Sequence, residues 1–263
     1  MADEGIDVVV VGYRPGPETD RLLADVRDLT SGPFRLHYQD NTGNPRTLSA
    51  VWNDLAFAGT HPFIAFLNSD AVPCPGWDRL LVEVLLSHPE AGVAIPMAIG
   101  KNPTYLDRAF TVGQPPDRRD MIMMADWARE KSAGTPILYD YGPECAPFFS
   151  VALRRSDFLE LKGFDERLRF YGQDHDLQDR LRALGKKILR VVTCPFYHMD
   201  SVSTKRAIQN GDIDIMEEYR HIGRVLAPLR AGQLRRWHLL SQEERLAVRS
   251  DPQYRMSGPR SAR

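Results

Sequence analysis

The chain begins with short apolar runs that alternate with stretches of helical hydrophobic spacing. Runs of this length, bounded by glycine, proline and polar residues, predict strands at 6–11, 34–39 and 63–67. Apolar residues three and four apart predict helices between and after them, around 22–29, 48–55 and 77–87. This strict alternation predicts an α/β fold with a parallel sheet, right-handed crossovers and a ligand crevice at the carboxyl ends of the strands.

The pattern loosens between 96 and 142, where Pro, Gly and polar residues surround one short helix predicted near 120–131. This region has the composition of an inserted, mobile segment. Regular structure returns beyond it, with strands predicted at 148–153 and 188–193 and helices at 156–162 and 176–185.

The length of 263 residues and the 43% hydrophobic content allow one large α/β domain, alone or with an appendage. A helix is predicted around 214–225, and a basic, proline-spotted end follows from 230, with the last dozen residues frayed. The expected division is a main domain at 1–200 and a C-terminal helical extension with a basic tail at 201–263.

Charge and cysteine content narrow the classes of partner. A net charge of -1 and a pI near 6.7 exclude a global field that draws the protein to nucleic acid or to an anionic membrane. Three widely spaced cysteines fit neither a disulfide framework nor a zinc-site spacing, which favours a reducing compartment. No apolar run reaches the roughly 18 residues of a membrane span, so a soluble, cytoplasmic protein is expected.

The third predicted strand ends in two oxygen-bearing side chains, Asn68 and Asp70. Side chains alternate along a strand, so both point to the same face. Hard oxygen ligands at the carboxyl end of a buried strand suit Mg²⁺ or Mn²⁺ and indicate chemistry on a phosphorylated substrate. The alternative is that both residues merely begin the turn before Pro73 and Pro75.

Three downstream segments complete a recognisable set: Gly-Phe-Asp-Glu at 163–166, Tyr-Gly-Gln-Asp-His-Asp-Leu at 171–177 and Tyr-His-Met at 197–199. With Asn68-Ser69-Asp70, their order and spacing resemble the family 2 glycosyltransferases over roughly the first two hundred residues. The resemblance implies a GT-A, Rossmann-like fold with a mostly parallel sheet, helices on both sides and a C-terminal helical extension. It also implies a metal-dependent, inverting transfer from a nucleotide sugar to an acceptor hydroxyl, with 96–142 on the acceptor side.

The resemblance assigns the metal and base residues. Asp70 is the expected anchor of Mn²⁺ or Mg²⁺, and Asn68 stands where relatives usually carry a second acid. His198 matches a histidine that is often a third ligand, although a half-buried structural histidine is the alternative. Asp174 is the expected general base, with Gln173 where relatives have an acid. The alternative role for Asp174 is that of a helix cap, and Asp176 is expected to be a cap or a supporting residue.

The resemblance also assigns residues to the donor and the acceptor. Asp40 falls at the nucleobase position. The other expected nucleotide contacts are Gly12, Tyr13, Arg14, Arg46, Asn53 and Ser69. The expected sugar and acceptor pocket comprises Trp77, Glu144, Ala146, Pro147 and Gln173, with Lys205 and Arg206 as a basic lid over the diphosphate. Several of these residues have an alternative without a role in binding. Arg46, Lys205 and Arg206 are then solvated loop residues, Asn53 is an exposed helix residue, and Trp77 is a core residue.

Two further classes of function stay open at this point. A sugar-phosphate nucleotidyltransferase uses a similar metal site, but the 12–17 loop is a poor match to the glycine-rich loop of those enzymes. A non-catalytic nucleotide-sugar-binding protein is suggested by the missing acids at Asn68 and Gln173, whereas Asp70, Asp174 and His198 together favour an enzyme. The acceptor is open among a glycan, a lipid-linked sugar, a natural product, a protein and a modified nucleobase.

Overall fold

A computed structural model describes residues 4–43, 46–100, 116–131, 135–199 and 202–254. The first part of the chain follows the alternation of its sequence. Its elements are β1 (Ile6–Gly12), α1 (Pro17–Leu29), β2 (Phe34–Asp40), α2 (Leu48–Ala58), β3 (Phe63–Asn68), β4 (Ala71–Pro73), α3 (Trp77–Ser87) and β5 (Ala91–Gly100). β1 is buried along its whole length, as expected of a valine-rich central strand. Pro17 begins α1 at a position that lacks a helical N–H partner, and the Thr47 side chain caps α2.

The second part contains more helices. Its elements are α4 (Arg118–Lys131), β6 (Leu138–Asp140), β7 (Ser150–Arg154), α5 (Arg155–Glu160), α6 (Gln173–Ala183), β8 (Lys187–His198), α7 (Val202–Gln209), α8 (Ile215–Arg230) and α9 (Gln242–Ser250). The Asp214 side chain caps α8, and Ser241 with Glu244 forms a capping box at α9. In the described ranges, no helix is both long enough and apolar enough to cross a membrane.

The strands form one sheet in the order β2-β1-β3-β7-β5-β8-β4, with β6 paired to β8. β1 is parallel to β2 and β3, and β5 is parallel to β8. β7 joins these two parallel parts as an antiparallel strand, and β4 and β6 pair antiparallel with β8. The α/β fold class is therefore confirmed. Alternation in the sequence predicted β1, β2 and β3 as parallel strands but not their order, while the short strands β4 and β6 carry too little periodicity to be predicted.

Apolar layers cover both faces of the sheet. On one face α1, α3 and α4 pack on the strands, with Trp77 edge-to-face against Phe196. On the other face α2, α5 and α6 cover an aromatic group in which Trp52 and Phe66 both contact Phe164. The sheet is thus held between two helical layers, and its carboxyl-end edge is left for a site.

The 96–142 region is better anchored than its sequence predicts. β5 continues to Gly100, and Met121 and Ala125 of α4 are buried in the core beside the sheet. The predicted short helix corresponds to α4. Its buried apolar residues fix it to the core, whereas the loose sequence pattern predicted little core contact for the whole region. Residues 101–115 and 132–134 of the expected mobile insertion lie outside the described residues.

The segment after β8 packs on the main body of the protein. In α8, Val225, Leu226 and Leu229 are packed with Leu168. Trp237 is buried and donates a hydrogen bond from its indole to the Lys162 carbonyl at 2.9 Å. The helix predicted around 214–225 corresponds to α8, whereas α7 and α9 were not predicted. Most of the predicted frayed end, 255–263, lies outside the described residues.

Candidate functional site

A cleft opens beyond the carboxyl ends of β1 and β3, the position at which open α/β sheets bind ligands. The ends of β8, the first turn of α6 and the first turn of α7 complete its walls. The structure brings together eight residues that the sequence assigned to the site: Tyr13, Asn68, Ser69, Asp70, Pro147, Gln173, Asp174 and His198. The residues expected to bind the metal and to act as the base therefore meet in one cleft.

Asp70 and His198 face each other in the cleft. Their Oδ1 and Nε2 atoms are 3.3 Å apart, and Asp70 is 1% exposed. β4 pairs with β8 so that Ala71 lies opposite His198, and the Met199 N–H donates to the Asp70 carbonyl at 3.1 Å. The His198 ring stacks on Phe149 with 5.2 Å between ring centroids. Strand pairing therefore sets the separation of the two side chains.

The electrostatics of this pair suit a cation. Burial by itself raises the pKa of Asp70, but the neighbouring His198 and the Val202 N–H, which donates to Oδ2 at 2.9 Å, hold that pKa below its usual value. Among the described residues, buried His198 Nε2 contacts Asp70 without a well-formed hydrogen bond. An ionised carboxylate facing an unsatisfied imidazole nitrogen is a fitting pair of ligands for Mn²⁺ or Mg²⁺.

Asp174 lies across the cleft in the first turn of α6. The sequence placed it just ahead of the helix, but α6 begins at Gln173 after Gly172, which adopts a left-handed conformation with φ of 90°. One Asp174 oxygen accepts from the His175 backbone N–H at 2.9 Å and contacts His175 Nδ1 at the same distance. Its side chain is 26% exposed and lines the cleft, so it can reach a bound hydroxyl.

Asp176 has a different role from its neighbour. It is 1% exposed and makes an ion pair with Arg180 at 2.6 Å. Arg180 is itself fully buried and also donates to the carbonyls of Leu161 and Gly163. Of the two readings of Asp176, cap or support, the structure favours support, because this pair ties α6 to the segment at 161–163.

Asn53 does not lie at the nucleotide position that the resemblance assigned to it. It is fully buried, and its amide donates to the Phe164 carbonyl and to Glu166, each at 2.9 Å. Its Oδ1 accepts from the Phe164 N–H at 2.7 Å. Asn53 therefore holds the Gly-Phe-Asp-Glu segment in place, and the surface alternative is also excluded.

Trp77 lies in the core and not in a sugar pocket. It is fully buried, and its indole N–H donates to Thr30 Oγ1 at 3.2 Å. Glu144 is exposed outside the cleft, and Ala146 is buried beside it. The aromatic residues that do line the cleft are Tyr13, Trp52, Phe148, Phe149, Phe170 and Tyr171.

The basic residues expected at the nucleotide are engaged elsewhere. Arg14 forms a two-pronged ion pair with Asp212, and Arg206 pairs with Glu18 at 2.9 Å while donating to the Arg14 carbonyl. Arg46 pairs with Asp54 at 2.6 Å. The remaining assigned residues outside the lining are Gly12, Asp40 and Lys205. Of the described residues that line the cleft, none is Lys or Arg.

The structure adds lining residues that sequence reasoning did not select. Tyr171 is the first residue of the Tyr-Gly-Gln-Asp motif, so the motif could have identified it as a lining residue. Its hydroxyl is hydrogen-bonded to Thr204, and its ring stacks on that of the exposed Tyr219 with 6.1 Å between centroids. Ser203 and Thr204 of α7 also line the cleft. No local pattern marks these two residues, because the packing of α7 against Tyr13 and Phe170 brings them there.

The central sheet and its flanking helical layers are those of the GT-A, Rossmann-like fold. The chain is similar in structure to GalNAc-T7, solved with UDP, GalNAc and Mn²⁺, with a TM-score of 0.56 and 12% sequence identity. The similarity covers 84% of this chain and 48% of that one, so the chain spans about half the length of this neighbour. No family model matches the sequence, and no curated protein sequence matches it. At this identity the likeness establishes the fold.

Proposed function

We propose that the protein is a metal-dependent glycosyltransferase that moves a sugar from a nucleoside diphosphate sugar to an acceptor hydroxyl. The observation that carries this proposal is the arrangement of Asp70, His198 and Asp174 in one cleft at the carboxyl edge of the sheet. The GT-A fold supports it, as does the structural neighbour solved with UDP and Mn²⁺.

The charge of the cleft explains why a cation is required. Asp70 and Asp174 are acidic, and the described lining residues include neither Lys nor Arg. A diphosphate in this cleft therefore meets repulsion unless a cation accompanies it. Asp70 and His198 would hold that cation, with Asn68 beside them. A divalent cation bound there supplies the charge that stabilises a departing diphosphate.

Asp174 is the group proposed to take the proton from the acceptor hydroxyl. An alcohol is almost fully protonated at neutral pH, and a positioned carboxylate speeds its attack by roughly 10²–10⁴. The donor sugar would lie between Asp174 and the metal pair, so that the hydroxyl attacks opposite the leaving nucleotide. Inversion at the anomeric carbon and membership of family 2 rest on the motif resemblance and form part of the proposal.

The aromatic side of the cleft is proposed to receive the acceptor. Tyr171 lines the cleft, and Tyr219 extends its stack to the surface of α8 while remaining 57% exposed. Ring faces of this kind suit the apolar faces of sugars and other ring-shaped acceptors. The acceptor therefore approaches past α8. The exposed Trp127 of α4 does not line the cleft and is not expected to contact the acceptor.

Calorimetry of UDP binding tests the proposal. We expect UDP to bind at least tenfold more tightly with Mn²⁺ than with chelator, on the order of 1.4 kcal/mol. Asp70→Asn should lose this enhancement, whereas the exposed Asp126→Asn should keep it. Equal UDP affinity with Mn²⁺ and with chelator refutes the metal role.

Donor turnover separates a transferase from a binding protein. With Mn²⁺ and a UDP-sugar but no acceptor, slow release of UDP is expected, because water can replace the acceptor hydroxyl. A panel of nucleotide sugars screened by thermal shift identifies the donor to use, since a ligand that binds the folded state raises its melting temperature. Tight binding without any turnover of the bound donor, alone or with acceptors, favours a binding protein.

A further inference from the structure

Three side chains of metal-binding type meet at the rim of the cleft. Cys145, Asp174 and His175 each place one ligand atom within 4.8 Å of the other two. All three are partly exposed, so an ion can reach them from solvent. The spacing of the three cysteines argued against a zinc site, but the fold brings one cysteine to a histidine and an aspartate from a distant part of the chain.

The loop that carries Cys145 is fixed to the helix that carries the other two residues. Gln178 is fully buried in α6; its side-chain oxygen accepts from the Ala146 N–H at 2.8 Å, and its amide donates to the Ala146 carbonyl at 2.6 Å. The same amide lies 3.4 Å from Cys145 Sγ and donates to it. Arg182, one turn further along, donates to the Gly142 carbonyl at 2.8 Å. The three side chains are therefore presented together by a preformed frame.

The spacing and the chemistry of these side chains suit zinc. A tetrahedral zinc ion about 2.0–2.3 Å from its ligands holds them about 3.3–3.8 Å apart, so small side-chain rotations close the observed group around an ion. Thiolate and imidazole ligands favour Zn²⁺ over Mn²⁺ and Mg²⁺, which prefer oxygen. We propose that Cys145, Asp174 and His175 form a zinc-binding site at the cleft rim, separate from the Asp70 and His198 pair.

The consequence for transfer rests on the proposed function. Zinc bound by Asp174 occupies the lone pair that is proposed to accept the proton of the acceptor. Zinc at this site therefore inhibits transfer even when Mn²⁺ saturates the cleft. Release of zinc restores the base without any change in the fold.

Alkylation of Cys145 tests zinc binding without reference to activity. Cys145 is partly exposed while Cys74 and Cys194 are buried, so iodoacetamide added to the folded protein reports mainly on Cys145. We expect Zn²⁺ to slow its alkylation at least tenfold and Mn²⁺ to leave the rate unchanged. His175→Gln should raise the zinc concentration needed for protection at least about tenfold, since loss of even an outer partner of a ligand costs that much. The change His88→Gln serves as the matched control, because the His88 side chain is partly exposed like that of His175.

The cobalt spectrum identifies the ligands directly. Co²⁺ should give a thiolate-to-cobalt charge-transfer band with the parent protein and none with Cys145→Ser, while melting temperatures confirm that both proteins are folded. An alkylation rate that is unaffected by excess Zn²⁺ overturns the proposal. Protection that is equally strong in the His175→Gln and Asp174→Asn proteins also overturns it, because the cysteine then binds zinc without this site.

Inhibition is measured last, by donor turnover at saturating Mn²⁺. Zinc should inhibit the parent protein and inhibit Cys145→Ser at least tenfold less. Equal inhibition of both proteins means that zinc acts at Asp70, which overturns the regulatory part. If no donor is turned over at all, the proposed function fails, while the alkylation and cobalt results still decide the zinc site.

Discussion

Two aspartates in the first turn of α6, Asp174 and Asp176, allow an effect on the transfer rate to be distinguished from an effect on the stability of the fold. Asp174 lines the cleft with a partly exposed side chain, whereas Asp176 is buried against Arg180. The same change, Asp to Asn, keeps the size and one carbonyl oxygen at each position. We expect Asp174→Asn to remove activity and Asp176→Asn to remove stability.

The structure sets the size of each effect. Removing one partner of a buried ion pair costs about 3–5 kcal/mol, because Arg180 keeps its charge away from water. For a protein of this length, that corresponds to a fall in melting temperature of about 6–20 °C. At the partly exposed Asp174, the lost contact with His175 costs no more than about 1 kcal/mol. Loss of the base should instead lower the transfer rate by roughly 10² or more.

The assay pairs single-turnover transfer at saturating donor with thermal and urea denaturation of both variants. Saturating donor matters because a change in nucleotide affinity then has no effect on the measured rate. UDP affinity with Mn²⁺ should be within twofold of the parent for Asp174→Asn. This result separates loss of the base from loss of donor binding.

Two results contradict this reasoning. Transfer at the parental rate by Asp174→Asn places the base elsewhere. Two other carboxylates near the motifs are poorly placed for that role, because Asp165 is buried in a pair with Arg167 and Glu144 lies outside the cleft. An unchanged melting temperature for Asp176→Asn shows that the buried pair adds nothing to the folded state.

Three further outcomes are expected. Asn53→Ala should lower the free energy of unfolding by about 1–3 kcal/mol for each orphaned backbone group and leave UDP affinity unchanged, as measured by urea denaturation and calorimetry. Asp7 is buried, and burial by itself raises the pKa of its carboxyl. His37, the His61 N–H and Arg155 outweigh burial and hold this pKa below 3.8. The stability that Asp7 contributes is therefore present above pH 3.8 and is lost as the pH falls below that value. Asp7→Asn should therefore flatten the acid limb of a melting-temperature profile, and an unaltered limb contradicts this. Tyr219→Ala should raise the acceptor KM more than the donor KM, whereas the matched Trp127→Ala should change neither.

Local patterns were sufficient where one strand or one helix carries the information. The apolar run at 63–67 predicted β3, and the Asn68-Ser69-Asp70 triplet predicted polar side chains at its carboxyl end. Both predictions depend only on side-chain alternation within a short segment. Helix α3 was predicted at its observed bounds, Trp77–Ser87, from apolar spacing alone. The resemblance added His198 and Asp174, which lie far apart in the chain and meet only in the folded protein.

Residues whose partners lie far along the chain could not be placed in this way. Arg14 and Asp212 are 198 residues apart, and nothing near either one shows that they form an ion pair. Trp77 and Asn53 lie on helices, and their side chains face inward. The packing of each helix on the sheet sets this direction, so the local sequence does not show it. Cys145 and His175 look isolated in sequence, and the contacts of Gln178 and Arg182 with the 142–146 loop bring them together.

The ladder between β4 and β8 has a practical consequence for redesign of the protein. It fixes Ala71 opposite His198, so strand pairing directly beside Asp70 sets the distance between the Asp70 and His198 side chains. The residues proposed to contact the acceptor, Tyr171 and Tyr219, lie instead before α6 and on α8. Changes on the exposed face of α8 can therefore be used to alter acceptor choice while Asp70, His198 and Asp174 stay in place, which makes the sheet a scaffold for new acceptor specificities.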